Sequence, residues 1–262
     1  MIKTKIIQTN LEGGILSINL NREEVYNALN RAAKLELIEA LSEASTNESV
    51  KVIILTANGK AFCTGQDLND RTVKASESNV DLSTTLKEEW NPLINSIRNN
   101  KKIVIGAING MAVGAGLSIA LACDFLYLHP NAYLMSGFSK IGLCPDAGGT
   151  FTLTRALGRQ RAMSFFIENT PIMASEALNL GLTNGSGENY MQQSLDLAKK
   201  VSKMAPLSIK IIKQNVRDSL DQTFQYVMER ETVSQGKLGS SDDYQEGLRA
   251  FFEKRSPEFK GK

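Results

Sequence analysis

The stretch IVIGAINGMAVGAGLSIALAC, residues 103–123, decides the fold. It runs 21 residues without a charge and follows Lys101 and Lys102. Gly106, Gly110 and Gly114 stand at GxxxG spacing, so by length alone it reads as a membrane helix with a dimerisation face. Local chemistry argues otherwise. Ile103-Val104-Ile105 is β-branched and Asn109-Gly110 is a turn signal, which predicts a strand over Ile103–Ile108, a turn, and a short buried helix. Val50–Leu55 and Phe125–Leu128 are short apolar runs of the same kind and read as buried parallel strands. Asn30 is placed to cap a helix over 31–46, with Leu35, Leu37, Ile38, Leu41 and Ala44 as its apolar face. Strands alternating with helices predict an α/β core with crossover connections and no membrane span.

Further out, Thr4–Gln8 and Gly14–Leu20 flank Glu12-Gly13-Gly14 and read as a hairpin. Arg71–Ser83 is polar and aperiodic, a surface loop, after which Ser83 starts a helix carrying Leu86, Trp90 and Leu93. From Ala162 the pattern is wholly helical: a short helix from Ser175 to Gly181, then Met191–Met204, Pro206–Leu220, Thr223–Gln235, and a last one from Ser241 to about Lys254. No internal repeat is visible. The expected organisation is a core over residues 1–200 and a helical C-terminal region over 201–262.

Composition removes several classes of function. The 262 residues are 42% hydrophobic and 22% charged, as in ordinary globular proteins. A formal net charge of +2 provides no field for nucleic acid or an anionic membrane. The single histidine, His129, precedes Pro130 and reads as a solvated loop residue, and multi-histidine metal sites are excluded. Cys63, Cys123 and Cys144 have no CxxC spacing, which fits reduced thiols in a cytoplasmic protein. No long apolar run follows the first residues, so no secretory leader is expected.

Three glycine-rich turns carry the chemistry: Phe62 to Leu68, Asn109 to Gly116, and Pro145 to Thr150. Turns of this kind aim backbone N–H groups outward, where an anion or oxyanion is stabilised. The dinucleotide pattern fails because Ile119 stands where a third glycine is needed, and neither a P-loop nor a GxSxG elbow occurs. Asp146 lies beside a predicted helix start and so has two readings. It is either an N-cap or, facing an apolar pocket, a base strengthened by desolvation. Asp67 and Asp70 read as caps of the loop after the first turn.

Four ordered segments together resemble the crotonase (enoyl-CoA hydratase/isomerase) family: Lys60 to Leu68, Ala107 to Gly116, Ala122-Cys123-Asp124, and Gly142 to Thr150. Asn21-Arg22, Asn27-Ala28-Leu29 and the terminal Arg255-Ser256-Pro257 extend the likeness over the whole chain. The resemblance implies a ClpP-like ββα spiral with a helical C-terminal trimerisation region, giving a homotrimer or a dimer of trimers. It implies an acyl-CoA thioester as substrate and no cofactor, coenzyme A being part of the substrate. By motif position the oxyanion donors would be the N–H groups of Gln66 and Ala115. Ala61, Phe62, Asp67, Leu68, Met111, Gly114, Phe138 and Leu143 would lie along the substrate, with Arg22, Lys254 and Lys260 as candidates for the coenzyme A phosphates.

The departures from the family pattern select a reaction. Hydratases of this family use two glutamates, and here Ser118 and Phe138 stand in those places. Asp146 remains as the catalytic residue, which suits proton shuttling in an isomerase. The segments Gly65 to Arg71 and Phe138 to Asp146 are most similar to the isomerases that convert a ring epoxide of phenylacetyl-CoA to the oxepin. They are also similar to those that shift a Δ3 double bond to Δ2. A fatty-acid Δ3,Δ2-enoyl-CoA isomerase, an enoyl-CoA hydratase-like enzyme, an aroyl-CoA dehalogenase and a non-catalytic acyl-CoA- or RNA-binding relative are the competing readings.

Overall fold

The structure is a computed structural model and describes residues 6–70 and 81–262. The Arg71–Ser83 loop expectation falls almost entirely outside the described residues, as do Thr4 and Lys5. Strands β1 (Ile7–Glu12) and β2 (Ile15–Leu20) form the expected hairpin about Gly13 and Gly14, which have φ of 56° and 82°. β1 runs on past Gln8 because it is a sheet edge, where polar Asn10 and Glu12 face solvent. Helix α1 (Arg31–Thr46) is capped by Asn30, whose Oδ1 accepts from Ala33 N at 2.9 Å. Its buried face is Ala33, Lys34, Leu37, Leu41 and Ala44. Leu35, expected on that face, is exposed, and a lysine takes an interior position instead.

β3 (Val52–Ala57) is buried throughout and is followed by β4 (Ala61–Cys63). Helices α2 (Leu82–Thr85) and α3 (Asn91–Arg98) are joined by a π-helical turn, Leu86–Trp90. Asp81 caps α2, its Oδ1 accepting from Ser83 N at 2.9 Å, so the cap lies two residues before Ser83. The deciding stretch holds β5 (Ile103–Ile108), β6 (Met111–Val113) and α4 (Ala115–Ala122). Next come β7 (Phe125–Leu128), β8 (Tyr133–Met135), α5 (Gly149–Leu157) and α6 (Arg159–Glu168). The remainder is β9 (Ile172–Met173), α7 (Ala174–Asn179), β10 (Gly185–Ser186), α8 (Tyr190–Val201), α9 (Pro206–Ser219), α10 (Phe224–Gly239) and α11 (Asp242–Glu253). The region after Ala162 is therefore not wholly helical. Its two strands are two residues each, too short to show a period, and they pair with β8 and β7.

One sheet has the order β1-β2-β3-β5-β7-β10 and the other β4-β6-β8-β9. Successive strands alternate between them: β3 then β4, β5 then β6, β7 then β8, each pair followed by helix. This is a spiral of ββα turns. Its repetition lies in the backbone path, and three-residue second strands leave too little sequence for a visible repeat. Among the described residues no helix is long and apolar enough to cross a membrane. Ile53 and Leu55 of β3 pack in the main core with α1, while Val52 and Ile54 pack on the other face with Ala198 and Val201 of α8. Cover on both faces explains why β3 and β5 read as unbroken apolar runs.

α9 is fastened to this core by an ion pair. Lys213 Nζ lies 2.6 Å from Asp124 and also donates to Lys102 O at 3.0 Å and Ile97 O at 3.3 Å. Burial pushes the Asp124 carboxyl up from its ordinary value, and the Lys213 ammonium opposes that shift. Lys213→Met leaves Asp124 without its counter-charge. The expected loss is about 2–3 kcal/mol, below the full cost for a completely buried pair because Asp124 keeps some contact with water. Chemical denaturation of the variant against wild type checks it, and an unchanged midpoint would refute it.

Candidate active site

The first glycine turn follows β4. Asn27, wholly buried, donates from Nδ2 to Asn58 O and Ala61 O, both at 2.8 Å, and so holds the ends of the β3–β4 connection. Leu29 then forms a parallel bridge to Gln66: Leu29 N donates to Gly65 O at 2.8 Å and Asp67 N to Leu29 O at 3.1 Å. In such a bridge the flanking residues bond to the partner strand, so the N–H of Gln66 itself points the other way. Gly65 has φ +88°, a conformation open to glycine at little cost. Cys63, behind the turn, accepts from Gly65 N at 3.4 Å, and burial pushes its thiol up to about 12, far from thiolate chemistry.

The second turn follows β6. Gly114, with φ +59° and ψ −127°, precedes the first residue of α4, Ala115, whose N–H belongs to the unsatisfied first turn of a helix. A Cβ placed on Gly116 would stand 2.1 Å from Cys63 O, so α4 approaches β4 as closely as backbones allow. A Cβ on Gly65 would stand 3.1 Å from Ala115 N. The two turns therefore back directly onto each other. Among the described residues neither the Gln66 nor the Ala115 N–H has a protein acceptor.

The third turn brings in Asp146. Its carbonyl oxygen accepts from Gly149 N at 2.9 Å and from Ser118 Oγ at 3.1 Å. The residue at the start of α5 is Gly148, in the left-handed region and with no side-chain cap, so Asp146 is not the N-cap. Asp146 instead lines a cavity of about 150 Å³ together with Gln66, Ala115, Gly114, Leu68, Phe138 and Leu143. Asp146 is the one carboxylate among the described residues around that cavity.

The remaining expected substrate contacts lie elsewhere. Ala61 and Phe62 are buried in the interior, Met111 accepts a long hydrogen bond from Tyr133 Oη at 3.6 Å, and Asp67 is paired with Arg22 at 2.9 Å. Arg22, a candidate for the coenzyme A phosphates, is held by Asp67 and also donates to Ala28 O. Asp67 Oδ1 accepts from Asn69 N at 3.0 Å and so caps its own loop as expected, whereas Asp70 Oδ2 accepts from Arg31 N at 3.0 Å and so ties the loop to the start of α1. His129 is half-buried rather than solvated. Its Nε2 lies 3.2 Å from Glu188 and its ring stands edge-on to Tyr190.

Sequence reading missed Thr64, Trp90, Val113, Ser136, Gly137 and Ile141, which complete the cavity wall. Trp90 carries a signal, being the one tryptophan in the chain, although its spacing points only to a helix face. A larger cavity, about 570 Å³, lies among α4, α5, α8 and α9. It is mainly apolar. Asp124 there is tied to Lys213, and Arg155 to Asp221 and the Phe151 ring, which leaves little reactive chemistry.

The spiral fold thus brings Gln66, Ala115 and Asp146 to the wall of one cavity. Comparison with known proteins gives the family. The model of the Enoyl-CoA hydratase/isomerase family matches residues 10–262. The chain is similar to 1,2-epoxyphenylacetyl-CoA isomerase of Escherichia coli (strain K12), 34% identical with 98% of this chain and 99% of that one covered. It is 33% identical to 2,3-dehydroadipyl-CoA hydratase of the same organism, covering 95% of this chain and 96% of that one. Among solved structures, an enoyl-CoA hydratase from Bacillus anthracis superposes with a TM-score of 0.92 at 29% identity, over 98% of this chain and 100% of that one. The chain belongs to the enoyl-CoA hydratase/isomerase family, in the crotonase superfamily, whose members act on acyl-CoA thioesters.

Proposed function

We propose that the protein is an acyl-CoA isomerase that works through a thioester enolate with Asp146 as its one base. The observation that carries this is the composition of the cavity. Where hydratases of the family place glutamates, Phe138 forms wall and the Ser118 hydroxyl is bonded to the Asp146 carbonyl, which leaves Asp146 as the acid–base group. A single carboxylate is enough to take a proton from one carbon and return it to another, whereas adding water needs a second group to activate it.

The chemistry runs as follows. The thioester oxygen accepts from the N–H groups of Gln66 and Ala115. Asp146 removes a proton from C2, and negative charge moves onto that oxygen, where the two donors hold it. In a 3-enoyl ester the charge is delocalised to C4. Return of the proton there yields the 2-enoyl ester. In a ring epoxide of phenylacetyl-CoA, the bond between the two epoxide carbons opens to give the oxepin, and the proton that Asp146 takes from C2 is returned to a ring carbon, leaving a double bond between C2 and the ring. Trp90 and Phe138 give the cavity aromatic walls, and a void of about 150 Å³ is the size that accepts a benzene ring. The relative named as an epoxyphenylacetyl-CoA isomerase supports the ring-bearing substrate. Coenzyme A arrives with the substrate, and no other cofactor is needed.

Residues 1–200 would then form the acyl-CoA-binding core and 201–262 the oligomerisation region of a cytoplasmic homotrimer or dimer of trimers. Val216, Phe224, Val233, Phe251 and Phe252 are strongly exposed on α9–α11 and suit burial between subunits. The test uses 3-hexenoyl-CoA and crotonyl-CoA side by side. The expected result is a shift of the double bond in the first and little hydration of the second. Brisk hydration of crotonyl-CoA without isomerisation would overturn the reading.

A further inference from the structure

Behind the Gln66 turn lies a charge pair that is almost entirely out of water. Lys34 of α1 is fully buried and paired with Glu89, which also takes Arg31 at 2.7 Å. Lys34 Nζ donates to Gln66 Oε1 at 2.9 Å and stands 4.9 Å from the centre of the Trp90 ring. Trp90 Nε1 donates to the same oxygen at 3.0 Å. At the other end of the amide, Gln66 Nε2 donates to Asp67 O at 3.1 Å. Both ends of the Gln66 side chain are thus held by fixed partners. Glu89 and Trp90 are consecutive residues, and both are buried because the π-helical turn Leu86–Trp90 carries them. Widened turns of this kind recur at functional sites.

Stability alone gives little reason for this arrangement. Lysine is almost never fully buried, and a buried ion pair is commonly no better than apolar side chains of the same volume. Its geometric effect is specific, however, since two donors converge on one amide oxygen of the residue whose N–H faces the cavity. We propose that Lys34, with Glu89 as its counter-ion, is a positioning residue that holds the Gln66 N–H in line with the developing enolate oxygen. This rests on the enolate reading of the cavity. Lys34 itself does not line the cavity, and it acts through Gln66.

The test is the double variant Lys34→Met/Glu89→Gln, which leaves no charge buried alone. With 3-hexenoyl-CoA the expected fall in kcat is about 10–100-fold with KM changed less than about threefold, the pattern of a misaligned transition-state contact. A second readout needs no knowledge of the natural substrate. Acetoacetyl-CoA absorbs in the near ultraviolet as its enolate and not as its ketone. Wild type is expected to bind it largely as the enolate, and the variant to show a band about tenfold weaker at the same pH and occupancy. A folded variant with wild-type kcat and an undiminished band overturns the proposal. Absence of the band in wild type overturns the enolate reading itself, and the proposal with it. If the double variant does not fold, Trp90→Phe carries the test by withdrawing the other donor to Gln66 Oε1 while keeping a ring. A loss of about threefold or more in the band then supports the clamp, and no loss overturns it.

Discussion

Asp146→Asn is expected to slow isomerisation of 3-hexenoyl-CoA by about 10²–10⁴-fold, the range that a positioned acid–base group contributes. The substitution is nearly isosteric and removes the ability to take the proton. Its carbonyl oxygen accepts from Ser118 Oγ and Gly149 N, and the substitution leaves these two bonds in place. The third turn is therefore expected to keep its path, with the thermal midpoint close to that of wild type. KM is also expected to hold, because in the proposed mechanism the carboxylate acts on the C2 proton and does not hold the thioester. A rate within about threefold of wild type would be incompatible with Asp146 as base. The acid would then have to come from outside the described cavity wall.

The parts of this site that were legible in the sequence are those set by backbone conformation. Glycines at 65, 114 and 148 mark positions with positive φ, and a glycine after an apolar strand signals a turn before any coordinates exist. The expected substrate contacts that do not line this cavity were hidden for a different reason. Phe62 and Ala61 sit in the right motif, but β4 turns them inward, and a three-residue strand shows no alternation from which its faces could be told apart. Asp67 and Arg22 are 45 residues apart and look like two surface charges until the fold pairs them. Lys34 is the clearest case. At a helix position next to Leu35 a lysine reads as solvated and a leucine as buried, and the structure reverses both. The reversal depends on Glu89, Gln66 and Trp90 arriving from distant segments. Periodicity along one helix contains no information about such partners.

Gly65→Ala bears on the other half of the mechanism and is expected to lower kcat by about 10²–10³-fold, the usual cost of losing one oxyanion donor. At φ +88° an added Cβ is strained, and it would stand 3.1 Å from both Ala115 N and Val113 O. These neighbours are backbone atoms of the second turn, so no side chain can rotate aside to relieve the contact. The two turns must separate by a few tenths of an ångström. On the proposed mechanism the two donors then no longer converge on one oxygen, and the enolate loses stabilisation that the ground-state ester hardly uses. Strain alone predicts something different, a loss of about 1–3 kcal/mol in stability with the rate preserved in the folded fraction. Gly158→Ala separates the two effects. Gly158 has φ +76°, nothing lies within 4 Å of its added Cβ, and it caps α5 outside the cavity wall. It is expected to cost stability and leave kcat near wild type. If Gly158→Ala slows the reaction as much as Gly65→Ala does, the rate loss follows from strain in general, and the two turns are not the oxyanion site. If only Gly65→Ala slows it, the spacing of the Gln66 and Ala115 N–H groups is what the reaction depends on.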